Sequence, residues 1–241
     1  MMHREVSQGN TYILGVTETG KSHRIIGKDN QDHFAFEVVS QGFAFAISDG
    51  VGSCRSAERG SEYAVQAVLH TFRELIGGRI PFDKEVIVSN IITCWRSQIP
   101  DAKINDYCAT LKYVIKYDNV FLLASLGDGY LIAAFSDEIV KAPEIESSFS
   151  NETTCLYEST SIHDFWYKTY PLNCKDENYT IFLATDGITN GITYGTDVDL
   201  VKEINYEMRS SDIKDEIYSF INEISKYSFD DKTLGIIKYE A

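Results

Sequence analysis

Three apolar, strand-like runs of the sequence end in Asp-Gly: Ile47-Ser48-Asp49-Gly50, Leu126-Gly127-Asp128-Gly129 and Ala184-Thr185-Asp186-Gly187. Asn30-Gln31-Asp32 directly precedes another such run, and Asp230-Asp231 precedes the last one. Carboxylates at strand ends are carried on a stiff scaffold and can converge from distant parts of a chain. Hard oxygen donors of this kind suit Mg²⁺ or Mn²⁺. A glycine after the aspartate lets backbone carbonyls and water come close to an ion. Gathered without cations, the aspartates would repel one another. Two ions held side by side lower the pKa of a water between them and neutralise charge on a transferring phosphoryl group. The competing explanation is turn chemistry, because Asp-Gly is a favoured hairpin turn. It competes evenly at Gly127-Asp128-Gly129, which has strand-like runs on both sides. It is weaker at Asp49 and Asp186, which are followed by Gly-Val-Gly-Ser and Gly-Ile-Thr-Asn rather than by an obvious returning strand.

These aspartates need elements to position them. Strands are expected at Thr11 to Thr19, His33 to Val39 and Gly42 to Ser48, where Phe43, Phe45 and Ile47 alternate with smaller residues. Ser40-Gln41-Gly42 suggests a hairpin. Ala64, Ala67, Val68, Phe72, Leu75 and Ile76 fall at helical spacing, and Gly77-Gly78 stops that helix. Asp83 is a good N-cap for a second helix carrying Val86, Ile87, Ile91 and Trp95, which Pro100 ends. Strands return at Leu111 to Tyr117, Val120 to Leu126 and Tyr130 to Phe135, with Asp118-Asn119 as a turn. Residues 136–165 read as polar and irregular. Thr180 to Thr185 is a short buried strand. Two helices follow, the clearer carrying Ile213, Ile217, Phe220, Ile221 and Ile224, and Thr233 to Tyr239 closes the series. Strands, two helices, strands, two helices and a strand do not alternate as a doubly wound parallel sheet does. The order suggests mainly antiparallel sheets with helix pairs packed outside them.

The 241 residues read as a single domain, 1–241, with four prolines and no proline-rich linker, low-complexity tract or long repeat. Hydrophobic residues make up 44%, as in ordinary globular proteins. A formal charge of −14, from 36 acidic and 22 basic residues, argues against a nucleic-acid backbone as partner. Solubility explains much of that charge. No run approaches the roughly 18 apolar residues of a membrane span, and the N-terminus lacks the apolar core of a secretory signal. Five scattered cysteines, without a C-x-x-C pair, fit reduced thiols in a cytoplasm better than a disulfide framework or zinc ribbon.

With its acidic sites in this order, the sequence resembles the metal-dependent protein phosphatases of the 2C type. Gly-Lys-Ser-His at 20–23 with Gly-Lys-Asp-Asn-Gln-Asp at 27–32 looks like the first family motif, in its Asn-Gln-Asp form. Ser-Asp-Gly-Val-Gly-Ser at 48–53 looks like the second, and Cys108-Ala109-Thr110-Leu111 like the Thr-rich strand motif. Leu-Gly-Asp-Gly at 126–129, Ala-Thr-Asp-Gly at 184–187 and Asp-Asp-Lys-Thr-Leu at 230–234 complete the series. The resemblance implies an α+β, four-layer αββα sandwich of two mainly antiparallel sheets flanked by helix pairs. It implies two Mg²⁺ or Mn²⁺ ions and a third, weaker one. Asp49 would bridge two ions and the Gly50 carbonyl would bind one. Asp186 and Asp230 would bind the other. Asp32 and Gln31 would hold metal-bound waters, and Asp128 with Asp186 would hold the third ion. Asp231 has no role carried by the family and is expected to be a solvated neighbour. Hydroxide held by the ion pair would attack phosphorus in phosphoserine or phosphothreonine without a phosphoenzyme. A phosphorylated protein and a cognate protein kinase are the expected partners, with a monomeric, cytoplasmic chain.

Three positions depart from the family pattern. Gln31 stands where many members have glutamate. It can accept a hydrogen bond from a metal-bound water but adds no negative charge, so weaker affinity there is expected. Val51 replaces a histidine that protonates the leaving group in many members. Gly27 replaces the phosphate-binding arginine, leaving Lys28, Arg24 and Arg55 as candidates, with Lys28 preferred for its nearness to the first motif. His23, in that motif, is a candidate acid or substrate-orienting group. An ordinary structural or exposed histidine is the competing explanation. His33 should point to the opposite strand face from Asp32 and reads as structural. Cys54 lies close enough to the second motif for oxidative sensitivity, though an ordinary small residue explains it more simply. Alternative functions are a non-catalytic 2C-like binding module, or a phosphatase of small phosphoesters or phosphotyrosine. Residues 136–178 are the expected segment for substrate selection.

Overall fold

The computed structural model describes residues 1–144, 154–172, 178–193 and 195–241. In chain order its elements begin with β1 (Met2–Gln8), β2 (Thr11–Glu18), α1 (Lys21–Ile26), β3 (Asp32–Val39), β4 (Gly42–Asp49), α2 (Ala57–Ile76) and α3 (Lys84–Ser97). Next come β5 (Leu111–Tyr117), β6 (Val120–Leu126), β7 (Tyr130–Ala134), β8 (Ile139–Lys141), β9 (Trp166–Pro171) and β10 (Tyr179–Ala184). The chain then forms α4 (Asp186–Thr189), α5 (Asp197–Tyr206), α6 (Ile213–Ile224) and β11 (Lys232–Tyr239). The described strands form two antiparallel sheets, ordered β1-β2-β11-β10-β7-β8 and β3-β4-β5-β6-β9. The expected α+β class and antiparallel sheets with helix pairs are therefore present.

The chain divides into two compact units, each drawn from separated stretches of sequence. One comprises 31–128 and 143–172 and holds the five-stranded sheet. Its helix α2 places Ala64, Ala67, Val68, Phe72 and Leu75 against Ala44, Ala46, Tyr113 and Ile115. This is the face that the i, i+3, i+4 spacing marks out. The carboxylate of Asp83 accepts from the amides of Glu85 and Val86 and starts α3. On α3, Trp95 is buried, and its indole N–H donates to the carbonyl of Gly60 at 3.2 Å. The Asp118 turn adopts φ 50°, a conformation that aspartate tolerates better than most residues.

The second unit comprises 1–30, 129–142 and 173–241 and holds the six-stranded sheet. Val201 and Ile204 of α5 and Ile213, Ile217, Ile221 and Ile224 of α6 form an apolar stripe. It packs on Leu14, Val16, Ile132, Phe182, Leu234 and Ile236. Each fully buried isoleucine there contributes about 1.5–3 kcal/mol.

Several elements escape the apolar pattern. Strand β1 is largely exposed, so no alternation announces it, yet it pairs with β2 over its full length. β8 spans three residues and β9 is rich in half-buried positions, and both form inside or beside the stretch read as irregular. Helix α1 buries no residue. The hairpin explanation of the Asp-Gly sites falls away. β6 and β7 belong to different sheets, so Gly127-Asp128-Gly129 is a crossing rather than a hairpin turn. Asp49 is followed by a bridge from Gly50 to Ala109, and Asp186 opens α4. No described helix is long and apolar enough to cross a membrane.

Candidate metal centre

Antiparallel register places the first pair of carboxylates. Asp32 begins β3, Asp49 ends β4, and the two are directly opposite in the ladder. Opposed residues in such a pair share a face of the sheet, and Asp32 is only 3% exposed. Two like charges so placed repel, which a divalent cation would relieve. The backbone beside them is pinned on both sides. The Gly50 amide donates to the Gln31 carbonyl at 3.1 Å. The Thr110 amide donates to the Asp49 carbonyl at 2.8 Å, and the Asp49 amide donates to the Thr110 hydroxyl at 3.1 Å. Thr110 thus explains why a threonine belongs in the Cys-Ala-Thr-Leu strand start. A Cβ on Gly50 would lie 2.3 Å from the carbonyl oxygen of Ala57, so only glycine lets this turn pass the start of α2.

Gln31 is buried at 5% exposure, and its carbonyl also accepts from the Ser61 hydroxyl of α2. His33 Nδ1 lies 2.9 Å from the same Ser61 oxygen. With the hydroxyl proton given to Gln31, that imidazole nitrogen is the donor. His33 therefore braces the strand against α2, in keeping with its expected structural role.

The second pair is placed differently. Asp186 is the first residue of α4, and Asp230 lies in the loop before β11. A Cβ on Gly187 would lie 1.8 Å from the Asp231 carbonyl oxygen and 3.5 Å from Cβ of Asp230, so the two acidic loops touch through glycine. The Thr185 amide donates to the Thr233 carbonyl at 2.9 Å and the Thr233 amide to the Thr185 hydroxyl at 3.0 Å. This clamp joins the ends of β10 and β11.

Asp231 is not the solvated neighbour expected from sequence. It is 2% exposed. Its carboxylate accepts from the Gly20 amide at 2.6 Å and lies 2.8 Å from His23 Nδ1. Burial of a carboxylate needs such partners, and the first motif supplies them from far along the chain. Glycine is required at 20 as well, since a Cβ there would lie 2.3 Å from the Asp230 carbonyl carbon.

Two buried lysines escape a reading by alternation. Lys112, 2% exposed on β5, donates to the carbonyls of Asp128 and, at 3.3 Å, of Gly127. Lys232, on β11, donates to the Asp230 carbonyl at 2.7 Å. Burial pushes the Lys232 ammonium below its ordinary range. Each lysine holds the backbone of an acidic loop, and its sequence signal is a lysine in a strand that is largely buried. Lys28 follows α1, with its amide donating to the His23 carbonyl at 2.9 Å. Arg24 pairs with Glu18 at 3.1 Å, and Arg55 is exposed.

Among the described residues no three His, Cys, Asp or Glu side chains gather into a metal cage. Register opposes Asp32 to Asp49, and Gly187 brings together the loops that carry Asp186 and Asp230. Their all-oxygen chemistry, with the Gly50 carbonyl beside the first pair, fits hard divalent cations. Part of the expected substrate-selecting segment, 145–153 and 173–177, lies outside the described residues.

The fold is shared with solved bacterial phosphatases. RsbX in complex with magnesium is 15% identical, with a TM-score of 0.70 over 99% of this chain and 100% of that one. The S. agalactiae serine/threonine phosphatase is 15% identical, with a TM-score of 0.69 over 96% and 100%. The catalytic domain of the serine/threonine protein phosphatase PstP, in complex with two manganese ions, is 14% identical, with a TM-score of 0.62 over 95% and 97%. No curated protein matches the chain in sequence. Residues 19–220 match the protein phosphatase 2C family, a span that holds every acidic motif except Asp230-Asp231. By that match this chain belongs to the protein phosphatase 2C family.

Proposed function

We propose that the protein hydrolyses phosphoserine and phosphothreonine in proteins with a pair of Mg²⁺ or Mn²⁺ ions. The observation that carries this reading is the Asp32–Asp49 register, which ends a buried hairpin in two opposed carboxylates beside the Gly50 carbonyl. Family membership supplies the reaction class. When bound, the ions would supply an activated water and offset charge on the phosphoryl group.

The chain's own residues divide the work. Asp49 and the Gly50 carbonyl bind ions, as do Asp186 and Asp230, an assignment that rests on the family's motif order. Asp32 and Gln31 orient water, with Gln31 accepting a hydrogen bond and adding no charge. Asp128 is the ligand of a third, weaker ion. With Val51 in place of a histidine, the proton for the leaving alkoxide comes from His23. Its Nδ1 is engaged by Asp231, which orients the ring and leaves Nε2 for that transfer. Lys28 binds the phosphate, preferred over Arg24 and Arg55 for its nearness to the first motif. The protein works as a cytoplasmic monomer opposite a protein kinase.

The test is hydrolysis of p-nitrophenyl phosphate and a phosphothreonine peptide with and without Mn²⁺, beside Asp186→Ala. Turnover that needs Mn²⁺ and disappears in the variant is expected. Mn²⁺ binding without turnover on either substrate would reject the reading in favour of a binding module.

A further inference from the structure

Three thiols from separate segments meet in the unit that carries Asp49. Cys54 lies in the loop after Gly50, Cys108 lies just before β5, and Cys155 lies beside the bridge from Ala109 to Leu156. Side-chain interactions couple the Cys108 thiol to Cys155 and to Cys54. Cys54 and Cys108 also share one acceptor, the Asn105 carbonyl, at 3.4 and 3.3 Å. The antiparallel pairing of Ala109 with Leu156 sets Cys108 and Cys155 diagonally across it on one face. All three cysteines are free thiols. Hydrolysis by ion-activated water uses none of them.

We propose that Cys108 and Cys155 are a reversible disulfide site, closed by hydrogen peroxide. Cys155 is the half-buried member of the pair and meets the oxidant, whereas Cys108 is buried. The neighbouring Cys108 side chain lowers the Cys155 thiol below its usual range, against the opposing influences of burial, Cys54 and Asp128, and so favours the nucleophilic thiolate. The Cys155 sulfur attacks peroxide, the O–O bond breaks, and a sulfenic acid and one water form. The Cys108 sulfur then attacks the sulfenic sulfur. The S–S bond forms and the hydroxyl leaves with the Cys108 proton as a second water. The two thiols lose two electrons to peroxide, which is reduced to water. The sulfurs close to about 2.05 Å.

The bridge sits directly behind the Asp49 loop. The Val51 amide donates to the Cys108 carbonyl at 2.9 Å, and Gly50 pairs with Ala109. It would therefore fasten the segment around Leu156 to the strand start that supports the loop.

The full chain, reduced and then treated with hydrogen peroxide, is alkylated, digested without reductant and mapped by mass spectrometry. Alkylation is expected to be lost at Cys108 and Cys155 together. A joined peptide two hydrogens lighter than its parts should appear and disperse with dithiothreitol. Cys54→Ser should keep that peptide and Cys155→Ser should lose it. Were Cys155→Ser to misfold, the wild-type peptide map would still decide the assignment. Full alkylation at both positions, a Cys54–Cys108 bridge as the main product, or sulfinic acid without a bridge would each overturn the proposal. The readout is a mass, so it stands apart from whether the protein hydrolyses phosphoesters.

Discussion

The two carboxylate pairs are built on different principles. Asp32 and Asp49 are opposed by strand register, with the Asp49 backbone bonded to Thr110 and the neighbouring Gly50 amide bonded to the Gln31 carbonyl. A register shift would turn every side chain of the hairpin to the other face, so the geometry of this pair is protected by the whole core of its sheet. Asp186 and Asp230 stand at a helix start and in a loop. Their placement depends on a few contacts: the Thr185–Thr233 clamp, the close approach of Gly187 to Asp231, and the grip of Asp231 on Gly20 and His23. Asp230 is exposed where Asp32 is buried. One pair is thus fixed by cooperative backbone pairing, and the other by individual side chains that single substitutions can loosen.

The largest effect should come from removing a carboxylate of the register-built pair. Asp49→Asn should lower Mn²⁺-dependent kcat/KM by about 10³-fold or more, in line with the loss of a group that stabilises developing charge. Its thermal midpoint should stay close to or above that of wild type, because one of two repelling carboxylates is gone. A fall in both together would show that the hairpin needs the charge to fold, and would break the comparison.

Gly187→Ala probes the contact-built pair. Its new Cβ would meet the Asp231 carbonyl oxygen at 1.8 Å, so the acidic loops must separate. Overpacking of this kind costs about 1–3 kcal/mol, measurable by urea denaturation. Weakened Mn²⁺ binding should accompany it.

Asp231→Asn should cost less, about 10-fold in kcat/KM, through loss of the charged hold on His23 and Gly20. If His23 is the acid, the loss should be larger for an alkyl phosphate than for p-nitrophenyl phosphate, whose leaving group needs little protonation. Equal losses on both would assign Asp231 a purely structural part.

The smallest effect concerns Lys232. Burial lowers its pKa from the ordinary 10.5. Between its folded value and 10.5 the unfolded chain binds more protons, so raising pH through that window stabilises the folded state. Wild type should gain stability relative to Lys232→Met as pH rises toward 10.5, read as a difference in urea midpoints. A flat difference would mean that the carbonyl of Asp230 fully offsets the burial of the ammonium.

Much of the scaffold was legible from residue patterns. The α2 stripe, the Asp83 cap, the Asp118 turn and the alternating β4 all follow from local chemistry, and each lies where periodicity puts it. Strand β1 was not legible, because an exposed edge strand is held by backbone hydrogen bonds that leave no apolar alternation. β8, β9 and α1 were missed for related reasons: short length, mixed burial and no buried side. Within the candidate site, the aspartates were visible as carboxylates that end strands. The partners of Asp231 were not, since Gly20 and His23 lie on the other side of the chain in sequence and carry no local signal for a buried carboxylate.

By itself, the sequence determined which residues can bind hard cations, that strands carry most of them, and that the order of motifs is that of one phosphatase family. Those properties are local or serial, set by side-chain chemistry and by spacing along the chain. Tertiary structure alone decided that Asp32 and Asp49 are directly opposed, that Asp231 is buried, that Lys112 and Lys232 hold acidic loops, and that Cys54, Cys108 and Cys155 meet. Each of these depends on register or on contacts between distant segments. A hydrogen bond or a burial cost exists only once the chain has brought both partners to the same place.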